Sequence, residues 1–392
     1  MSLKGPGSPG ALRRANCDRL LRALAEAGGR ATQAELARRS GLSPASVSNL
    51  ARALEASREV SIATELHQGR RCRVVARAAP AGYIFGLDLG RTHLHAGLGT
   101  LDHHLVAREL RPMTPGASAA EGLKLCAELL QTLLDRLGLD RADIKGAAAG
   151  VPGPLSAQTG EIGAGAVLPA WTGIDLQEHF SRALGLAVVV ENDANLGALG
   201  EFAWATPVAT RQPQAYIRLS VGIGCGILID GDRLLRGAAG TAGELGHVSL
   251  DSSGRLCRCG NRGCVETTAS TPVLLETLSR AMERDVTLPE WLDMARAGHN
   301  GSIRLLEDMG RNVGIAISSL VNLLSPATVV LGGPVTAAAD LLLDTVRETV
   351  TRRSLPAPAR AVQVRLARHH GLSELYGSLV LAGRAAAGEF NS

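Results

Sequence analysis

Apolar positions recur at helical spacing through the first part of the chain. Leu20, Leu21 and Leu24 form a stripe on Asn16–Ala27, which reads as a first helix. Thr32 is placed to cap a second helix, Gln33–Arg39, that stops at Gly41; Ser43 followed by Pro44 marks the start of a third. In that third helix Val47, Leu50 and Leu54 fall at i, i+3 and i+7 and predict its buried face. Ala45, Ser46, Ser48, Asn49 and Arg52 are left on the opposite face. The period then shortens to that of strands, Val60–Glu65 and Arg71–Ala76, around a turn at His67-Gln-Gly69. Three helices and a β-hairpin predict a winged helix-turn-helix, whose third helix, small and polar outside, suits a DNA major groove. Ser43, Ser46, Ser48, Asn49 and Arg52 are its candidate contacts to bases or phosphates, with Arg70 and Arg71 on the wing. A three-helix protein-interaction module is the competing reading.

After a short linker, Ala78–Ala81, the pattern becomes that of an α/β body. Tyr83–Leu89, Leu94–Gly99 and His104–Leu110 predict three strands, Ser118–Leu137 an amphipathic helix and Ile144–Gly150 a fourth strand. This β-β-β-α-β order opens a ribonuclease-H-like lobe. A second copy begins near Ala215, with strands at Tyr216–Ser220, Gly226–Ile229 and Asp232–Leu235, a long helix Gly310–Leu324 and a strand Thr328–Leu331. The predicted fold is therefore α/β: a winged helix-turn-helix followed by two ribonuclease-H-like lobes around a cleft. The expected domains are 1–80, then 81–205 completed by a terminal helix at 373–392, then 206–372 as the second lobe.

Composition narrows the setting. With 392 residues, 45% hydrophobic and 20% charged, the chain is globular and not disordered. No apolar run long enough for a bilayer and no signal-peptide core is visible, so a cytoplasmic, membrane-free protein is expected. Aromatics at 3% argue against stacking on single-stranded nucleic acid. Charge is uneven: residues 1–80 carry fourteen Lys or Arg and six Asp or Glu, a net +8, against +4 for the whole chain. A basic head on an acidic body fits a polyanionic partner such as double-stranded DNA.

Three of the seven cysteines fall within Cys257-Arg-Cys259-Gly-Asn-Arg-Gly-Cys264, ten residues after His247. One His and three Cys supply a closed tetrahedral zinc site, and Gly260 and Gly263 allow the tight turns it requires. Buried thiols without a metal are the bland alternative. Clustered, reduced ligand cysteines suit a reducing compartment. Glu244 and Glu266 flank the cluster, and rigidly held carboxylates of this kind suit the hydroxyls of a polyol.

Seven segments together are similar to one family. They are Gly86-Leu-Asp-Leu-Gly90-Arg-Thr92, Gly150-Val-Pro-Gly-Pro154, Glu191-Asn-Asp-Ala-Asn195, Gly222-Ile-Gly-Cys-Gly226, Ala242-Gly-Glu-Leu-Gly-His247, the cysteine segment through Glu266, and Val329-Val-Leu-Gly-Gly333. Across nearly the whole chain this resembles the ROK family (repressor, open reading frame, kinase), in its winged-helix regulator branch. The resemblance implies that Gly153, Asn192, Asp193, Glu244, His247 and Glu266 contact a hexose-type sugar. It implies that His247, Cys257, Cys259 and Cys264 hold one zinc ion, the His facing the sugar with its other nitrogen. In the kinase branch the aspartate matching Asp193 is the general base. The nucleotide loops, Asp88, Gly90 and Thr92, Gly222 and Gly224, and Gly332 and Gly333, look vestigial. Arg91 and Val221 replace a Gly and a Thr of the kinase pattern, and Ser220 and Cys225 replace glycines; Thr172 stands where relatives carry Asn or Asp. The resemblance thus implies a sugar-responsive transcriptional repressor without enzymatic activity, a homodimer or homotetramer on operator DNA. An ATP-dependent sugar kinase using Asp193 is the second reading.

Overall fold

The computed structural model describes residues 9–27, 29–56, 59–67, 70–77, 82–156, 159–163, 168–202 and 212–389. The chain divides into two compact units, Met1–Ala81 and Gly82–Ser392.

The first unit contains helices α1 (Pro9–Glu26), α2 (Gln33–Ser40) and α3 (Pro44–Ala56), and strands β1 (Arg30–Thr32), β2 (Val60–His67) and β3 (Arg70–Arg77). Its first helix begins seven residues earlier than the apolar stripe predicts. The strands form one sheet in the order β1-β3-β2, and the very short β1 carries too little pattern to be read in advance. The Thr32 hydroxyl accepts from the Glu35 amide and caps α2, while Gly41 leaves it with a left-handed φ of 65°. The Ser43 hydroxyl accepts from the Ser46 amide at the start of α3. Val47, Leu50, Ala51 and Leu54 from α3 join Leu20, Leu24 and Leu36 in one core with Val60 and Val75 of the hairpin.

The second unit contains two five-stranded sheets. The first, β6-β5-β4-β7-β8, is built from β4 (Tyr83–Leu89), β5 (His93–Thr100), β6 (Leu105–Pro112), β7 (Ile144–Val151) and β8 (Val188–Asn192). Helix α4 (Ala119–Leu137), with a complete Ser118–Glu121 capping box, and α5 (Leu176–Leu184) bury their stripes on this sheet. Helix α6 (Asp193–Phe202) follows β8 directly. The second sheet, β11-β10-β9-β12-β13, takes β9 (Gln214–Leu219), β10 (Ile223–Ile229), β11 (Arg233–Leu234), β12 (Thr328–Gly332) and β13 (Gln363–Leu366). Around it lie α7 (Glu266–Ala269), α8 (Thr271–Met282), α9 (Leu288–Arg296), α10 (Asn300–Leu324), α11 (Ala339–Arg353) and α12 (Pro356–Ala361). Each sheet therefore has three antiparallel strands continued by two parallel ones.

The last helix, α13 (Ser373–Ala386), packs against β4 and β7 of the first sheet and against α6. Backbones approach closely there. A Cβ on Gly377 would lie 1.8 Å from the Leu196 carbonyl, and one on Gly146 would lie 2.1 Å from that of Ala382. Leu379 to Ala382 share a core cluster with Leu196, Leu199, Tyr216 and Val330, so α6 and α13 tie the two sheets together.

Candidate functional site

A cavity of about 350 Å³ opens between the two sheets. Loops at the C-terminal ends of β4, β7 and β8 meet those of β9 and β12 there, the place where α/β sheets present ligands with free backbone and side chains. Of the sugar residues expected from sequence, Gly153, Asn192, Asp193, Glu244, His247 and Glu266 all line it. So do Asp88, Gly90, Thr92, Gly222, Gly224 and Gly333 of the nucleotide loops.

The geometry refines several of these residues. Gly153 has φ of 119°, a conformation that favours glycine, and its carbonyl accepts from Asn192 Nδ2 at 2.9 Å. The other end of the Asn192 amide is committed too: Oδ1 accepts from the amides of Ala194 and Asn195 and so begins α6. Glu266 accepts from the Ile223 amide and pairs with Arg258 at 2.8 Å. Glu244 lies farther from a full cation, with His247 Nε2 3.8 Å from its Oε2 and Arg258 only partly offsetting its burial. Burial, followed by the fields of Asp193 and Glu266, pushes it up to about 7.

Gly332 does not line the cavity. Its hydrogen is where Tyr216 passes, because a Cβ there would lie 2.0 Å from the phenol oxygen. Cys225, expected to intrude on the second phosphate loop, instead points into the core beneath the second sheet.

Sequence reasoning missed the residue that dominates the cavity's electrostatics. Arg218 on β9 is buried, with Nη1 3.3 Å from Asp193 Oδ2 and Nε 2.9 Å from Glu374 Oε1. Tyr216 donates to the same Glu374 oxygen at 2.8 Å. Asp193 Oδ1 meanwhile accepts from the Ala194 amide. Both oxygens of Asp193 are thus engaged. Burial raises Asp193 to about 6, with Asp88 and Glu374 adding to the rise and Arg218 opposing it. A lone arginine in the otherwise apolar run Tyr-Ile-Arg-Leu was the available signal. A second missed group is Glu191, which accepts from Asn195 Nδ2 and Arg236 Nε behind the cavity wall.

The cysteine segment forms a knot beside the cavity. Gly260 and Gly263 have φ of 90° and 63°. Cys257 Sγ lies 3.6 Å from His247 Nδ1, and Cys259 Sγ lies 3.8 Å from Cys264 Sγ. Ligands about 2.3 Å (sulfur) and 2.1 Å (nitrogen) from one tetrahedral ion stand about 3.6–3.8 Å apart, so the four atoms fit a shared metal. His247 Nε2 points the other way, 3.8 Å from Glu244 Oε2. Burial holds His247 below its ordinary value, which favours the neutral, ligating form.

In the first unit, Ser43, Asn49 and Arg52 are exposed along α3 and its cap, and Ser46 and Ser48 are half-buried. Arg52 Nη2 donates to Asn49 Oδ1 at 2.8 Å, and the Ser43 and Ser46 hydroxyls are 2.9 Å apart. Arg71 is exposed on β3; the side chain of Arg70 and the wing turn lie outside the described residues. Among the described residues, no helix is long and apolar enough to cross a membrane.

A winged helix followed by a body of two such sheets defines the class: a sugar-kinase-like body that carries a winged-helix head. The chain belongs to the ROK family, whose profile matches residues 84–385; that of the MarR family matches 19–71. A xylose repressor of Caldicellulosiruptor bescii is 26% identical over 326 residues, covering 80% of this chain and 81% of its own length. A glucokinase of Halalkalibacterium halodurans is 29% identical over 300 residues, 73% of this chain and 90% of the enzyme. Among solved structures, a ROK family transcriptional regulator homologous to the E. coli MLC protein covers 96% of both chains with a TM-score of 0.68 at 22% identity. That likeness shows the fold.

Proposed function

We propose that this protein is a sugar-responsive DNA-binding repressor that uses a kinase-like cleft to sense its ligand without phosphorylating it. One observation carries the reading: the carboxylate positioned to activate a sugar hydroxyl is clamped by Arg218, in a chain that also carries a winged helix. A general base must have a free oxygen near the proton it removes. In Asp193 both oxygens already have partners, and Arg218 lowers the basicity that burial confers.

In this reading α3 enters the major groove, with Asn49 and Arg52 reaching bases or phosphates and Ser43, Ser46 and Ser48 near the backbone. Arg70 and Arg71 on the wing add phosphate contacts. Gly153, Asn192, Asp193, Glu244, His247 and Glu266 form the sugar site, in which Glu244 is the carboxylate least committed to the protein itself. Zinc is the ion for the knot: three thiolates and an imidazole match its preferences, and in a closed four-ligand site it supplies rigidity, not reactivity. Asp88, Gly90, Thr92, Gly222, Gly224, Gly332 and Gly333 are then remnants of nucleotide loops. The chain divides at 1–80, 81–205 with 373–392, and 206–372.

A homodimer would set two winged helices on successive turns of an operator, and sugar binding would change their spacing. Linkage requires that sugar and operator weaken each other equally if sugar induces release. Relatives named xylose repressor make xylose the first ligand to try. The test is a thermal-shift panel of pentoses and hexoses, followed by operator binding with and without the responding sugar and an ATP-consumption assay. Turnover that disappears in Asp193→Asn would overturn the proposal in favour of a sugar kinase, the activity for which the glucokinase relatives are named.

A further inference from the structure

We infer that Asp88, His93 and His95 form a second metal site, distinct from the cysteine knot, on the opposite wall of the cleft. The strands place the three residues together. β4 and β5 pair antiparallel with Asp88 opposite His95, and His93 lies two residues along on the same face. Leu94 between the histidines points into the core on the other side.

The separations are those of ligands, not of hydrogen-bond partners. Asp88 Oδ2 is 3.6 Å from both His93 Nε2 and His95 Nδ1. Hydrogen bonds of this type close to about 3 Å. Two donors each about 2.1 Å from one tetrahedral ion stand about 3.4 Å apart. One ligand atom from each of the three residues can be chosen so that all lie within 4.8 Å of one another.

Two buried polar atoms of this cluster also lack hydrogen-bond partners among the described residues. Asp88 is 1% exposed, and its Oδ1 and His95 Nδ1 make no hydrogen bond among the described residues. Leaving such groups unsatisfied costs about 1–3 kcal/mol each, so something from the cavity must meet them. Five carboxylates and three guanidiniums line that cavity, a surplus of negative charge that favours a cation. Gly90 makes room for the His93 ring: a Cβ there would lie 2.2 Å from it. That gives Gly90 a present use that does not involve nucleotide.

Two imidazoles and one carboxylate with open positions suit a divalent transition metal that exchanges and binds oxygen ligands. Its open positions face the cavity, where vicinal hydroxyls or a carboxylate of a bound polyol could complete the shell.

The test uses the full-length protein with its knot metal in place, titrated with Zn2+ or Ni2+ and followed by calorimetry and elemental analysis. About one further equivalent per chain should bind, as one His2Asp set provides. His95→Gln should weaken that uptake more than about a hundredfold, beyond the effect of most outer-shell changes, and leave the knot metal untouched. His93→Gln, at the more exposed ligand, gives the same reading if His95→Gln does not fold. No uptake beyond the knot at millimolar metal, or uptake unchanged in both variants, overturns the site. Operator and sugar binding play no part in this measurement, so its outcome is independent of the regulatory proposal.

Discussion

Asp193 and Arg218 show how a single side chain redirects a site. Burial pushes Asp193 up to about 6 in the folded protein, from an ordinary 3.8. The folded state then binds more protons between those values, so this group's contribution to stability is present below pH 4 and lost as pH rises through 6. Two units correspond to roughly 3 kcal/mol. Asp193→Asn removes that dependence: in urea denaturation the variant should gain on the wild type by up to about 3 kcal/mol between pH 4 and pH 7. Arg218→Met should act in the opposite direction at neutral pH. It strands Asp193 and Glu374 as buried uncompensated charges, at a cost of about 3–5 kcal/mol, read as a lowered urea midpoint.

At the level of elements, α3 and the knot were legible before folding was considered. The i, i+3, i+7 spacing of Val47, Leu50 and Leu54 gave both the helix and its outward face, because burial of one stripe fixes the other. Replacing Ser46, Asn49 and Arg52 together by Ala should abolish operator binding in a fluorescence-anisotropy assay while leaving sugar-induced stabilisation intact. Arg52→Ala alone should reduce the slope of log K against log salt by about 1 if it contacts a phosphate. Cys259→Ser should lose the tightly held metal by elemental analysis and lower the melting temperature, since one ligand of four is removed from a closed site. Less legible were β1 and α6. The former is three residues long, and the latter carries almost no amphipathic stripe because all ten of its residues are buried.

For the molecule as a whole, the decisive element is the last one. α13 packs on β4, β7 and α6, nearly two hundred or more residues away in sequence, through glycine contacts that leave no space for a methyl group. Gly377→Ala should therefore cost more than the roughly 1–3 kcal/mol usual for overpacking, since backbone and not a mobile side chain blocks the new atom. Reduced soluble yield and a lower urea midpoint would register it. The amino-acid sequence by itself determined the α/β class, the winged helix, the zinc-type donor set and part of the cavity wall, because each follows from local spacing or a contiguous motif. Only the tertiary structure decided which carboxylates are free. Arg218, Glu374, Asp193 and Asp88 come from four separate elements, and the electrostatic balance among buried charges depends on distances of 3–4 Å that no local pattern encodes.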